Sequence, residues 1–443
     1  MTRNKRSAPR KRKPIDVDPE RSSAVSPSKP RLLQVLGPGL ITGASDDDPS
    51  GIATYSQAGA QFGYAMAWTM VITYPLMAAV QEISARIGRT TGRGLAGNIM
   101  RIYPGPVVYA LVALLLAANV INIGANLGAM GEAVGLLVGG PHLFFVVAFG
   151  ALCAAMQIFL QYTRYVSVLK WLTLALFAYV ATLFVVHIDW GELARGLLPT
   201  PSLDAGYWQM TVAILGTTIS PYLFFWQASQ EVEDIREKPR RQPLLKQPQQ
   251  APAAYERIRL DTLVGMGFSN FVALSIMVTV AATLHSAGIT HIESSAQAAE
   301  ALKPIAGELA FMLFALGIVG TGLLSVPVLA GSAAYALGEA LHWRVGLSRK
   351  PAEAGAFYGA IAAATLIGMA LNIFKVNPIT ALYWSAVING VVAVPIIVSM
   401  MLMTTDRRIM GRFTISGPLR ALGWLTAAAM GMAVLGMATT LVS

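Results

Sequence analysis

Residues 37–68 read GPGLITGASDDDPSGIATYSQAGAQFGYAMAW, an apolar stretch long enough to cross a bilayer, with three consecutive carboxylates, Asp46, Asp47 and Asp48, in its middle. Pro49, Ser50 and Gly51 follow them directly. Each Asp at the centre of a membrane helix costs about 2.5–3.5 kcal/mol on insertion scales, which excludes an ordinary lipid-facing helix. The carboxylates must face protein, water or a cation. Proline withdraws a backbone donor and obstructs the preceding turn, while glycine frees the chain from helical geometry. The spacing therefore predicts unwinding at Asp48-Pro49-Ser50-Gly51, with carbonyl oxygens exposed there. If the span starts in the cytoplasm, the triplet falls at the carboxyl end of its first half, where the helix dipole is already negative. Extra carboxylates make sense there when a cation arrives. Asp48 is the candidate for direct cation contact, and Asp46 and Asp47 are candidates for a wet vestibule.

Working outward, 55% of the 443 residues are hydrophobic and 13% are charged, too little polar surface to coat a soluble globule of this size. Apolar runs of about twenty residues, each sufficient for a core roughly 30 Å thick, recur to the end of the chain. Eleven are expected, near 33–60, 63–84, 105–130, 141–160, 166–187, 208–232, 261–285, 307–340, 354–372, 379–404 and 421–441, giving an all-α polytopic membrane protein. The sixth contains GTTISPYLFFWQASQEVED, residues 216–234, where Pro221 interrupts a second long apolar stretch. Two discontinuous spans in corresponding halves, five spans apart, are the sequence pointer to an inverted-repeat transporter with its site between the breaks.

The net charge of +10 could suggest nucleic acid, but its distribution points elsewhere. All of the 33 Lys and Arg except Arg195, Lys303 and Lys375 fall in the amino-terminal tail and alternate loops. The positive-inside rule then places the amino terminus in the cytoplasm, and eleven spans leave Ser443 outside; the membrane expected is a bacterial inner membrane. No nucleic-acid partner is expected. Residues 1–31, rich in Arg, Lys, Pro and Ser, are expected to be a disordered basic tail. They lack a secretory signal, so the first span is expected to be retained. Residues 32–443 form the transmembrane unit, with a Pro- and Gln-rich linker at 236–257. The single cysteine, Cys153, excludes an intrachain disulfide or cysteine cluster. Glu231, Glu233 and Asp234 are expected at a solvated cytoplasmic exit, and Trp226 is expected to pack.

Asp48-Pro49-Ser50-Gly51, then Gln57-Ala58-Gly59-Ala60-Gln61-Phe62-Gly63-Tyr64, resembles the NRAMP pattern of Asp-Pro-Gly-Asn followed by a QAGAQ-like segment. Ser220-Pro221-Tyr222 is similar to the family's sixth-helix Met-Pro-His, and LFALGIVGTGLLSVPVLAGSAAYALGEAL to its eighth helix. The resemblance implies a LeuT-type fold: inverted five-helix repeats over 32–190 and 205–405, an extra helix at 420–442, and alternating access. It implies divalent metal as cargo and no cofactor or catalysis. Carried over by position, the family's ligands become Asp48, Gly51, Ser220 and the carbonyl of Thr217.

Only the Asp is unchanged. Sulfur favours softer transition ions, whereas oxygen suits Mg²⁺, Ca²⁺ and Mn²⁺, so Ser220 shifts the site toward harder ions. Gly51 removes a further ligand and leaves room for water, which Mg²⁺ gives up reluctantly. These departures resemble the NRAMP-related magnesium transporters and point to Mg²⁺, with Mn²⁺ second. Ala386 stands where the metal-coordinating branch often has Gln, and Asn389 remains as a polar wall. Asn119, Asn122 and Asn126 form a stripe at i, i+3 and i+7, with the first two where the proton-coupled branch carries acids. Asn126 is the expected extra contact with hydrated metal. Amides do not titrate, and Tyr222 replaces the family's His, so a uniporter is expected. Two units of charge gain about 4.6 kcal/mol per 100 mV of inside-negative potential, enough to accumulate the ion without protons. The alternatives are a proton-coupled Mn²⁺/Fe²⁺ symporter, a metal sensor without flux and an amino-acid carrier, the last opposed by the Asp triplet. No HExxH or GxSxG motif supports an enzyme.

Overall fold

The computed structural model describes residues 42–43, 45–159, 176–199, 204–238, 240–374 and 376–442. The basic tail, most of the first half of the first span and residues 160–175 of the fourth and fifth spans lie outside them. Eleven helices organise the rest: α1 (Pro49–Phe62), α2 (Trp68–Thr91), α3 (Gly105–Val138), α4 (His142–Phe159), α5 (Ala205–Thr218), α6 (Pro221–Glu237), α7 (Ala251–Val280), α8 (Ala310–Ala340), α9 (Gly355–Leu371), α10 (Pro378–Thr404) and α11 (Gly417–Val442). They do not map one to one onto the expected spans. Helix α1 is the second half of the first span, α5 and α6 are the two halves of the sixth, and Phe177–Thr182 is the described helix of the fifth. Among the described residues, seven helices are long and apolar enough to cross a membrane unaided.

The second span begins later than expected. Helix α1 ends where Gly63 takes φ +56, and a side chain there would meet the His285 ring at 3.0 Å, so glycine suits both backbone and packing. A 3₁₀ turn at Gly63–Met66 follows, and the chain bends by 109° before α2.

Helix α3 is the central post, packed against α8, α10, α9 and α4. Around it α1 lies on α7 as α6 lies on α2, the exchange that an inverted repeat requires. Backbones approach closely where side chains are small. A side chain on Gly216 of α5 would sit 2.0 Å from the carbonyl of Ala386 and 2.4 Å from the nitrogen of Gly390, both on α10. The outer faces are apolar and exposed, as Phe144 and Phe159 on α4 and Leu425 and Leu435 on α11 show. Such a belt suits contact with lipid. The buried Cys153 faces inward.

Four basic connections meet at one end of the bundle, joined by Leu244 to the Arg89 carbonyl, Arg101 to the Arg408 carbonyl and Arg236 to the Val345 carbonyl. The linker is docked on the bundle. Residues 251–257 already belong to α7, and Arg89, itself fully buried, donates to the Gln242 carbonyl and to Gln250 Oε1. Leu244 is buried against Ala251 and Ala254. A buried guanidinium needs acceptors, and here the Gln242 carbonyl and the Gln250 side chain of the linker meet its two terminal nitrogens.

Candidate functional site

Both breaks follow one rule. Asp48 is extended (φ −71, ψ 168) and Pro49 occupies the first turn of α1; Ser220 is extended (φ −72, ψ 128) and Pro221 opens α6 in the same way. Proline at the first helical position lacks only a donor that has no helical partner anyway. It starts the second half at each break and does not interrupt a continuous helix. The unwinding expected across Asp48–Gly51 therefore shortens to Asp47 and Asp48, and Ser50 and Gly51 are helical.

Asp48 also caps α1. Its Oδ1 accepts from the Gly51 amide at 2.9 Å and from Ser50 Oγ at 2.8 Å, so the carboxylate sits on the positive end of the following helix. That corrects the expectation of a purely negative helix end. Ser220 turns the other way, donating from Oγ to the carbonyls of Gly216 and Thr217 at 2.9 Å each. Its oxygen completes the end of α5 and engages the Thr217 carbonyl assigned as a ligand.

Across the gap, Asn122 and Asn126 of α3 donate to Asp48 Oδ2 at 3.2 and 3.3 Å. The carboxylate thus has four donors and is buried to 1% exposure. Asn126 also donates to Ser325 of α8 at 3.1 Å, and Asn122 Oδ1 accepts from Ser385 of α10 at 3.2 Å. Asn119 is not part of this cluster. It donates to the Leu329 carbonyl and Ser332, gluing α3 to α8, so the amide stripe divides between two tasks. Gly51 faces the sixth span, where a side chain would come 3.2 Å from both Thr217 Oγ1 and the Tyr55 ring.

Asp46 and Asp47 lie on the other side of Asp48, at 0% and 2% exposure. Asp46 Oδ2 and Asp47 Oδ1 both lie within reach of Ser269 Oγ on α7, at 2.7 and 3.0 Å. One hydroxyl hydrogen serves two carboxylates. Tyr222 donates to the Ser45 carbonyl at 3.1 Å, and Thr42 bonds Gln227, so the two broken spans hold one another directly. Asn389 is fully buried in α10, and neither of its amide atoms has a hydrogen-bond partner among the described residues. No group of three or more His, Cys, Asp or Glu converges on an ion position among the described residues.

Sequence reasoning missed Ser269, Ser325 and Ser385. A single serine in an apolar run carries no periodic signal, and only the helix crossings give these three their partners. It also misplaced the acids of α6. Glu231 is fully buried and paired with Arg257 at 2.6 Å, and Glu233 is bonded to Arg236 at 2.7 Å and to Ser348. Trp226 packs as expected, edge-on to Tyr335 and over Gly331.

The family described as natural resistance-associated macrophage protein-like, Nramp, matches residues 39–440. A divalent metal cation transporter MntH of Aeromonas hydrophila is 27% identical over 431 residues, covering 93% of this chain and 97% of that protein. A Yersinia pestis protein of the same description is 29% identical over 305 residues, 67% of this chain and 70% of its own. Among solved structures, the manganese transporter of Eremococcus coleocola superposes with TM-score 0.76 at 16% identity, over 92% of this chain and 87% of that one. MhsT follows with TM-score 0.57 at 13% identity, over 90% and 98%, and Mhp1, a nucleobase-cation-symport-1 transporter, with 0.53 at 15%, over 92% and 91%. The paired breaks and the exchange of helix contacts between halves are those of the LeuT-type inverted repeat, and the chain belongs to the Nramp family.

Proposed function

We propose that the chain carries a divalent metal cation across the membrane by alternating access, with the ion held at Asp48. One observation carries this reading: a buried carboxylate stands where both broken spans and α3 meet. A buried anion in a low-dielectric interior is tolerated when it is hydrogen-bonded and serves a cation. The relatives are described as divalent metal cation transporters and the superposed structure as a manganese transporter, which supports divalent cargo.

For the ion itself the reading is Mg²⁺, partly hydrated, with Mn²⁺ second. Asp48, Asn126, Thr217 and Ser220 offer oxygen without a thioether, and Gly51 adds no side-chain ligand. Such a donor set is hard and sparse, suited to an ion that keeps its waters. Asn122 and Asn126 bring amides to Asp48 where a titrating relay needs acids, which supports transport without a proton. The gathering of basic connections at one end supports a cytoplasmic amino terminus in a bacterial inner membrane, with repeats over 32–190 and 205–405 and an extra helix over 420–442.

A second reading, proton-coupled Mn²⁺ or Fe²⁺ symport, is favoured by the sharing of one Ser269 hydrogen between Asp46 and Asp47, an arrangement suited to carry a proton. Reconstitution in liposomes separates the two. Mg²⁺ and Mn²⁺ entry is followed with internal dyes under an inside-negative potential while internal pH is recorded. Mg²⁺ entry without acidification is expected. Mn²⁺ entry with protons and exclusion of Mg²⁺ would establish the second reading.

A further inference from the structure

Asn389 buries a carboxamide with nothing in the described structure bonded to either end. Native interiors rarely leave such a group unmet, because it has lost its water and gained no partner. Its register on α10 shows where it sits. Ser385, one turn earlier, bonds Asn122, which bonds Asp48; Gly390, the next residue, packs on Gly216 one residue before Thr217. At 100° per residue, position 389 lies between these two directions. It therefore faces the gap between α3 and the end of α5, about 6 Å along α10 from Ser385.

Among the unmet atoms of this region, which include the donors Asn389 Nδ2 and Tyr55 O–H, three share a chemistry. Asn389 Oδ1, Asn126 Oδ1 and Asp46 Oδ1 are all buried acceptors without partners among the described residues. Water bound to a divalent cation has its lone pair engaged by the metal and turns its O–H groups outward. A hydrated cation consequently presents donors alone, and the wall that recognises it must present acceptors. A bare cation needs several direct ligands, and among the described residues no group of three or more His, Cys, Asp or Glu supplies them.

We infer that Asn389 is a specificity-determining residue for the transported ion, accepting through Oδ1 a hydrogen bond from water in the shell of the cation at Asp48. This rests on the hydrated-cation reading above. The side chain selects for ions that keep their water and contributes little to one that sheds it.

The test uses the full chain, purified, with three probes in calorimetric titration: Mg²⁺, Mn²⁺ and hexaamminecobalt(III). The last is exchange-inert and presents only N–H donors. Wild-type protein is expected to bind Mg²⁺ and hexaamminecobalt(III) in competition. Asn389→Leu is expected to weaken both by about five- to tenfold, the loss of one hydrogen bond, and to weaken Mn²⁺ less. Asn389→Asp, which keeps the acceptor and adds charge, is expected to tighten both, and it carries the test if the leucine variant does not fold. Unchanged Mg²⁺ and hexaamminecobalt(III) binding in Asn389→Leu, or equal losses for all three probes, overturns the assignment of Asn389 alone. Wild-type binding of Mn²⁺ with neither of the other probes overturns the hydrated-cation reading itself.

Discussion

Asp48→Asn separates the charge of this residue from its structural work. Asparagine caps helices about as well as aspartate, so its Oδ1 keeps the Gly51 and Ser50 bonds that start α1. The new amide nitrogen faces Asn122 and Asn126, two donors, which is unfavourable until one turns over. Asn126 can do so. Its Oδ1 has no partner to lose, and Ser325 Oγ bonds its oxygen as readily as its nitrogen. The Asn122 donor then stays unpaired, so Asp48→Asn is expected to cost about 1 kcal/mol with its cap intact, whereas Asp48→Ala forfeits the cap at about 1 kcal/mol and leaves both amides unpaired. The charge is another matter. At about 4.5 Å, through one layer of water, and an effective dielectric of ~20, unit negative and double positive charges interact by about 7 kcal/mol. If a third of that survives competition with water, about 2.5 kcal/mol, affinity falls about sixtyfold. Calorimetric titration with Mg²⁺ and Mn²⁺, alongside thermal unfolding of both variants, checks each half. Near wild-type cation affinity in a folded Asp48→Asn protein would refute the electrostatic role of Asp48.

Gly51→Asn, which restores the residue of the family pattern, is expected to cost about 1–3 kcal/mol by overpacking, because its Cβ comes within 3.2 Å of Thr217 Oγ1 and the Tyr55 ring. Adding Thr217→Ala should recover part of that loss in melting temperature, and a strictly additive pair would rule out the contact. Arg257→Met is expected to destabilise by about 3–5 kcal/mol, since it strands the fully buried Glu231. Combining it with Glu231→Gln should restore most of the stability in denaturation, and failure to do so would show that the pair is not coupled. Arg89→Ala should free residues 240–250, so that trypsin cleaves at Arg240 and Lys246 faster than in wild type. Equal cleavage rates would refute docking of the linker through Arg89.

The two breaks were legible because charge and proline are improbable in a lipid-facing helix, and two such anomalies five spans apart reinforce each other. Their position was misjudged by about two residues. An Asp-Pro or Ser-Pro pair reads as an interruption, yet the physical preference is for the polar residue to end one segment and proline to begin the next. The docking of the linker was not legible. Its Pro- and Gln-rich composition resembles free chain, and nothing local announces that a buried arginine 150 residues earlier needs its carbonyls. Asn119, Asn122 and Asn126 show the limit of periodicity. A 3.6-residue repeat puts them on one face, but α3 is surrounded, and successive turns of that face meet different neighbours: α8 at Asn119, α10 and Asp48 at Asn122, Asp48 and α8 at Asn126.

The saturation of Asp48 bears on how hydration and movement are linked. Its Oδ2 is what joins the start of α1 to the central post α3, through Asn122 and Asn126. A cation that sheds its water to bind this oxygen competes with both amides and pulls α1 away from α3. A cation that keeps its water reaches the carboxylate through an O–H donor, and a carboxylate oxygen has room for that donor beside one of the amides. On the proposed function, ion identity and alternating access would meet in the same two hydrogen bonds: Mg²⁺, with its shell intact, would leave α1 tied to α3 while bound, and Mn²⁺, more readily stripped, would untie them. Replacing Asn122 and Asn126 with leucine removes the tie for both ions, so the doubly substituted protein should respond to Mg²⁺ and Mn²⁺ with the same hydrogen-exchange change in α1. Wild-type protein should show greater exchange with Mn²⁺ than with Mg²⁺. Equal exchange in the wild type under saturating amounts of either ion would show that hydration is not what α1 senses.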